Sequence, residues 1–513
     1  MASSSTPVMG PSDPHPRIMA PMESTGASFW RWVLGLGIVV VLAAVALGSQ
    51  LLYGLGVTNL NRPVYWGMYI TNFVFFIGLS YGGVLTSAIL RLVDAEWRRP
   101  ITRMAEVVAV FALILGAANI ILDLGRPDRA LFVMMHPHFA SPLIWDVVSI
   151  SLYFVTSSLY LYLPLIPDIA LLRDRTTGWR GWLYRLTAFG WTGTSRQLHR
   201  LELVVGAMAV GIIPIAISVH TVVGWVFSMT IQPMWHSTIF GPYFVLGAIF
   251  SGLAALIITM AIVRKAYSLE EYLTPLHFDN LGVLLLVVAC LWIYFTFAEF
   301  LTTFYGQEPV EMAVFNAKLF GPFAIHTWTM LVCCFVVPFP LLANRRTRTV
   351  TGTVIASVFI VTGMWLERYT IVVPSLLNPR VPVHWPVYTP SAVEWMLMAG
   401  CLAAFALLVM AFTKLYPIIS IWELSPDLPQ PPTADTSGGV TIAQALASGG
   451  HATRTVPGVA RTMLGVALLF AAVPGRAWAQ EPSVVLAGAR ADASVSEGAT
   501  LTGADVGWGG HDA

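Results

Sequence analysis

The sequence predicts an all-α, polytopic membrane protein of about ten transmembrane helices, and three observations carry that reading. Hydrophobic residues make up 56% of the 513 and charged residues only 11%, against about 25% charged in a soluble domain. Apolar runs of the ~20 residues that cross a bilayer occur at 29–56, 65–92, 101–122, 141–165, 200–229, 240–263, 279–304, 319–343, 350–372 and 391–416. Basic residues then alternate between the loops, which sets orientation. One alternate set holds Arg91, Arg98, Arg99, Arg103, Arg173, Arg175, Arg180, Arg185, Arg196, Arg200, Arg264, Lys265, Arg345, Arg346 and Arg348. The other holds Arg62, Arg126, Arg129, Lys318 and Arg380. Fifteen against five places the first set, and both termini, in the cytoplasm.

Residues 1–28, rich in Pro, Ser, Met and Gly, are expected to be disordered and lack the build of a cleavable signal. The second span ends SYGGVLTSAILRLVDA and the sixth IFSGLAALIITMAIVRKA. Both carry small residues mid-helix, where backbones can approach closely. The fourth opens SPLIWD and the eighth GPFAIH. In each a proline suits the first turn, and an ionisable group follows four residues later. Spans two to five and six to nine are therefore read as two parallel-repeat four-helix bundles, with spans one and ten peripheral. The tenth begins with Ser391 and Glu394 in an S-x-x-E pattern, a capping box.

The membrane domain is thus 29–420, followed by a cytoplasmic low-complexity tail, 421–513. Within the tail, RTVPGVARTMLGVALLFAAVPGRAWAQ (454–480) has the shape of a secretory signal cleaved after Ala479. Its apolar run is too short for a span. Fusion to the start of an exported protein and a disordered extension both remain open.

An ionisable side chain inside lipid is costly and is a functional candidate by default. The topology gives each one a depth. Asp146 and His326 lie in the second turns of their spans, counted from outside, and Glu299, Glu367 and Arg368 near the outer ends of theirs. His220 is about 15 Å down at 1.5 Å per residue. The outer loop after the third span adds Asp123, Arg126, His136 and His138. The inner half holds Glu106 and Glu202, candidates for proton uptake. Together these predict one polar pocket open to the outside. Structural alternatives stand beside that reading: Glu299 and Glu367 snorkelling to headgroups, Arg368 pairing for structure, and Trp145, Trp225, Trp365 and Tyr369 anchoring the interface.

Carboxylates and imidazoles in lipid suit three tasks: binding a quinol headgroup, conducting protons, or coordinating ions for transport. Quinol oxidation needs a base for the hydroxyl proton, which such groups supply. Cys290, Cys333, Cys334 and Cys401 form no CxxC or CxxCH, so no iron–sulfur cluster or attached haem is signalled. His220 and His326, at different depths, make a poor axial pair. Electrons would therefore leave to a cofactor on another subunit. No metal site and no basic cluster for nucleic acid is evident.

The segments SPLIWD, ISVHTVVGW, QPMWHSTIFGPYFVLGAIFSG, FAEFLTTFYGQEPVE, MWLERYTIVVPSL and DLGRPDRA span roughly residues 60–420. They resemble NrfD/PsrC-type membrane subunits, and most of all the quinol-binding ActC subunit of alternative complex III. The resemblance implies paired four-helix bundles without haem, in a bacterial inner membrane. It implies a pocket for menaquinol or ubiquinol on the outer side, electron transport to partner subunits, and proton translocation. Implied partners are lipids, an iron–sulfur/molybdopterin-like subunit, multihaem cytochrome c subunits and a second NrfD-like subunit. Asp146, His220, His138 and Glu299 would act on the quinol protons, with Trp145, His326, Glu367 and Arg368 completing the headgroup site. Val226 stands where the family's histidine segment often has an acid, so that acid's role is either absent here or moved to Asp146 or Glu299. Two rival readings are a polysulfide-reductase-like anchor working toward quinone reduction, and an ion or solute transporter.

Overall fold

A computed structural model describes residues 16–61, 63–378 and 388–424. Regular structure among them is helical: α1 (Pro16–Glu23), α2 (Ala27–Tyr53), α3 (Met68–Leu92), α4 (Thr102–Asp123), α5 (Pro142–Tyr162), α6 (Ile166–Arg173), α7 (Gly178–Thr187) and α8 (Ser195–Ser228). There follow α9 (Phe240–Ala266), α10 (Pro275–Gly306), α11 (Pro309–Leu319), α12 (Ala324–Ala343), α13 (Val350–Leu377), α14 (Ala392–Leu415) and α15 (Ile421–Leu424). Ten of these, among the described residues, are long and apolar enough to cross a membrane, and they coincide with the ten runs in the sequence.

Local chemistry sets the boundaries. Ser141 caps α5 by accepting from Leu143 N at 3.3 Å, with Pro142 in the first turn. Thr194 and Gln197 form a capping box on α8. Ser391 and Glu394 form the expected one on α14, and Glu394 also takes the Tyr388 hydroxyl and Asn59 N. Inside α12 the ladder widens to a π turn over Val332–Val336, just before Pro338, which has no N–H to donate.

The helices α3, α4, α5 and α8 close one ring of neighbours, and α9, α10, α12 and α13 a second. The rings meet where α3 and α8 pack on α9 and where α13 packs on α3. Small residues allow that seam: a methyl on Gly252 would fall 2.5 Å from Gly82 Cα, and one on Gly83 2.5 Å from Ala105 O of α4. The small residues picked out in the second and sixth spans thus lie against each other. Helix α2 packs on α14, outside both rings.

At the end carrying Arg91, Arg98, Arg99 and Arg103, here the arginine-rich end, the chain after α14 is strapped across the first ring. Buried Arg103 pairs with buried Asp168 and donates to Pro164 O at 2.9 Å and Pro417 O at 3.2 Å. Asp168 accepts from Ile421 N and Trp422 N, each at 3.1 Å. Glu423 pairs with Arg91 at 2.6 Å and Arg98 at 3.3 Å. Residues 421–424 therefore belong with the membrane helices rather than with the tail. The other end of the chain also differs from the expected disorder over 1–28. Pro16–Glu23 is helical, because Ile18, Met19 and Met22 are buried and Lys414 donates to Pro21 O at 2.6 Å. Residues 1–15 and the tail from 425 on, with the signal-like 454–480, lie outside the described residues.

Candidate functional site

The ionisable residues do not share one pocket; the two rings divide them among three places. In the first ring, Asp146 lies in the second turn of α5 and its Oδ1 is buried with no hydrogen-bond partner. The contact between Tyr153 and Ser80 hydroxyls, 3.2 Å, fixes the register of α5 against α3. Counting back seven residues on both helices puts Asp146 at the depth of Phe73 and Asn72. The Asn72 Nδ2 is also buried without a partner, while its Oδ1 accepts from Trp365 Nε1 at 2.9 Å. Trp365 stacks on Tyr369, and Tyr369 lies 5.4 Å from the His326 ring. His326 of the second ring is thereby linked to Asn72 through two aromatic rings.

His138 stands in the loop before α5 and Trp145 in the first turns of α5, at the same end of the ring. His138 is exposed, and its carbonyl accepts from Ser141 N at 2.8 Å at the start of α5. Trp145 Nε1 donates to Phe139 O at 2.7 Å, which orders the same loop. Arg126 pairs with Asp128 on the exposed surface instead of turning inward.

The second place is the seam. His220 is buried, with its ring 4.6 Å from that of Tyr81; both its nitrogens and the Tyr81 hydroxyl lack partners. Tyr81 is eight residues deeper on α3 than Phe73, so His220 sits about 12 Å further along the axis than Asp146. The two do not meet. Arg368 reaches the same face of α3 from α13. It fits a niche where a methyl on Gly247 would fall 2.9 Å from a guanidinium nitrogen, and one on Gly78 3.6 Å from it. It pairs with Glu367 and lies 5.8 Å from the centre of the Phe244 ring, yet none of its three nitrogens finds a hydrogen-bond acceptor.

The third place is a cavity of about 30 Å³ in the second ring, lined by Tyr243, Thr296, Glu299, Lys318, Thr327 and Glu367 among others. That is room for about one water and too little for a six-membered ring with its substituents. Glu299 accepts from Ser237 at 2.9 Å, and Glu367 accepts from Trp292 Nε1 at 2.8 Å, so neither snorkels to a headgroup. Lys318, which the sequence offers only as a loop charge, is buried at this cavity on α11. Burial pushes its amine down to about 8, against the pull of Glu299 and Glu311.

Toward the arginine-rich end, Glu106 is buried and accepts from Ser87 at 2.7 Å, while Glu202 is exposed. Asp146, Tyr153–Ser80, Tyr81–His220 and Ser87–Glu106 thus form a ladder of polar side chains down the first ring, spaced along α3. Sequence reasoning found its acids and its histidine. It missed Ser80, Tyr81, Ser87 and Tyr153, which read as ordinary members of apolar runs; the one usable signal was the seven-residue spacing of Ser80 and Ser87 on α3.

Among the described residues no group of three His, Cys, Asp or Glu side chains is placed to hold a metal ion. The unpartnered Asp146 carboxylate and Asn72 amide are an acceptor and a donor, the two functions that a ring bearing hydroxyl or carbonyl groups calls for.

The comparisons accord with this architecture. The chain is 27% identical to a "putative dimethyl sulfoxide reductase membrane subunit" of Halobacterium salinarum, over 75% of this chain and 91% of that protein. It is 23% identical to a selenate reductase subunit of Mesobacillus selenatarsenatis, over 75% and 93%. It is 24% identical to the "Hdr-like menaquinol oxidoreductase integral membrane subunit" of Archaeoglobus fulgidus, over 74% and 93%. The polysulphide reductase, NrfD, family matches residues 56–380, the stretch holding all three places and both rings. With that match across most of its length, and with ten membrane-spanning helices, this chain is a member of the NrfD family of integral membrane proteins.

Proposed function

We propose that this chain is the quinol-binding membrane subunit of a respiratory or photosynthetic electron-transfer complex, resembling alternative complex III. The observation that carries the reading is the buried, unpartnered Asp146 Oδ1 at the end of the first ring away from the arginines, at about the same depth as the unpartnered Asn72 Nδ2. Relatives named for menaquinol and menaquinone chemistry support the ligand class. The loop arginines support an Asp146 end facing outward and both termini facing the cytoplasm, and the family resemblance supports a bacterial inner membrane.

A bound quinol supplies two electrons and two protons, the electrons passing to an iron–sulfur or haem partner subunit. Asp146 Oδ1 accepts the hydrogen bond of a ring hydroxyl and takes its proton, while Asn72 Nδ2 donates to a ring oxygen and holds the ring in register. His138, exposed in the loop that leads into α5, passes the proton outward. The ladder through Tyr153–Ser80 and Tyr81–His220 to Ser87–Glu106 supports proton exchange with the far side. Arg368 and Glu367 keep the seam charged but paired, and Glu299 and Lys318 exchange protons within the second ring. Relatives named as reductase subunits favour a second reading, in which the partner is a molybdopterin-type reductase rather than multihaem cytochromes and a second NrfD-like subunit.

Quinone extracted from the purified complex and identified by mass spectrometry, repeated with Asp146→Asn, tests the proposal. The amide keeps the shape and loses the base, so turnover should fall by about 10²–10⁴-fold with bound quinone reduced. Unchanged quinone content and turnover would remove Asp146 from the site.

A further inference from the structure

Helix α7, in the connection between α5 and α8, presents a surface that the electron-transfer reading does not use. Trp179, Trp182 and Leu186 recur at i, i+3 and i+7 on α7, Phe189 follows in the turn after it, and the four are 62–79% exposed. A continuous apolar stripe of that spacing, on a helix of a folded chain, is an interaction face. The opposite face is fixed in place. Gly181, Tyr184 and Ala188 are buried, and the Tyr184 hydroxyl donates to Leu415 O at 2.7 Å. The Tyr162 hydroxyl donates to Thr187 O. Leu415 ends α14 and Tyr162 ends α5, so α7 sits at the level where those two spans leave the membrane.

Charge and position identify what covers the stripe. Arg185 of α7 and Arg196 and Arg200 at the start of α8 are exposed with no carboxylate paired to them among the described residues, and the Arg180 guanidinium lies 5.5 Å from the Trp179 ring centre. Tryptophan at the headgroup level with arginine beside it is the composition of a helix lying in the membrane surface. Phe189 lies 6.1 Å from the Tyr162 ring at the end of α5, and apolar residues of the two flanking spans, Leu159 on α5 and Leu203 and Val204 on α8, are exposed as well. We infer that α7 is an in-plane anchor that binds anionic phospholipid in the leaflet at the arginine-rich end, with Trp179, Trp182, Leu186 and Phe189 in the acyl boundary and Arg185, Arg196 and Arg200 on the phosphates.

The purified complex reconstituted into vesicles tests this by quenching of tryptophan fluorescence. One vesicle set contains brominated phosphatidylcholine alone. The other mixes phosphatidylcholine with brominated phosphatidylglycerol at equal bromine content. Wild type should be quenched more by the brominated phosphatidylglycerol. That excess should be lost in Trp179→Tyr/Trp182→Tyr, and lost in Arg185→Gln/Arg196→Gln/Arg200→Gln, whose tryptophans are intact. Melting temperatures of both variants, equal to wild type, show that the exposed changes leave the fold alone. Equal quenching by the two lipids, or an excess that survives in either variant, would overturn the anionic-lipid assignment. A stripe quenched by neither lipid would instead lie under a protein partner, which overturns it too.

Discussion

Lys318 carries the clearest pH signature of any single side chain outside the spans. Its amine sits buried at the second-ring cavity, and burial lowers it from 10.5 to about 8. The sign follows from proton counting: between pH 8 and 10.5 the unfolded chain holds a proton there that the folded chain has released, so stability rises with pH across that window. The gain is about 2–4 kcal/mol. Thermal melting of the purified complex between pH 7.5 and 10.5 should show this rise, and Lys318→Met should flatten it. A slope of equal size in the variant would assign the effect elsewhere. Asp146 and Glu367 were legible from sequence because a carboxylate in an apolar run stands out. Lys318 was not, because it lies only a few residues outside such a run. Tyr81 and Tyr153 were not, because an aromatic ring in a membrane helix is ordinary until its hydroxyl is seen facing another polar group.

At the level of elements, α3 is the axis of the molecule, since it touches α4, α8, α9 and α13. It meets α9 backbone to backbone at Gly82 and Gly252. Gly252→Ala should destabilise by about 1–3 kcal/mol, because the methyl meets backbone that cannot swing aside. Gly206→Ala is the control: nothing lies within 4 Å of a methyl there, so it should be neutral or gain up to about 1 kcal/mol of helix propensity. Melting temperatures of the two variants distinguish a packing seam from a general intolerance of larger residues. The sequence read the spans and this small-residue seam well, because hydropathy and side-chain size are local properties. It did not separate the three polar places, since depth along a helix says nothing of the direction a side chain takes around it. It also passed over α7, whose arginines made it look like an ordinary charged loop.

For the whole molecule, the strap of residues 417–424 closes the arginine-rich end over Glu106 and Ser87. Asp168 is its anchor, holding Arg103 and two backbone N–H groups at once. Removing one partner of a buried ion pair costs about 3–5 kcal/mol, so Asp168→Ala should release the strap. Hydrogen exchange read by mass spectrometry should show Ile421 and Trp422 amides losing protection in the variant; unchanged protection would mean that Glu423 alone suffices. Although burial pushes the Glu423 carboxyl up, Arg91 and Arg98 hold it below the ordinary range. Its share of the closure is therefore present above the unfolded carboxyl value and lost only as pH falls through the lower folded one, which leaves the strap shut at neutral pH.

The glycine seam bears on motion as well as on stability. Carriers built from paired bundles rock one half against the other to expose a central site first to one side and then to the other. Here the halves touch backbone to backbone in the middle of α3 and α9, with no side chain between them to act as a bearing. A hinge there would have to break its tightest contact in every cycle. The seam thus favours readings in which the two bundles stay fixed against each other.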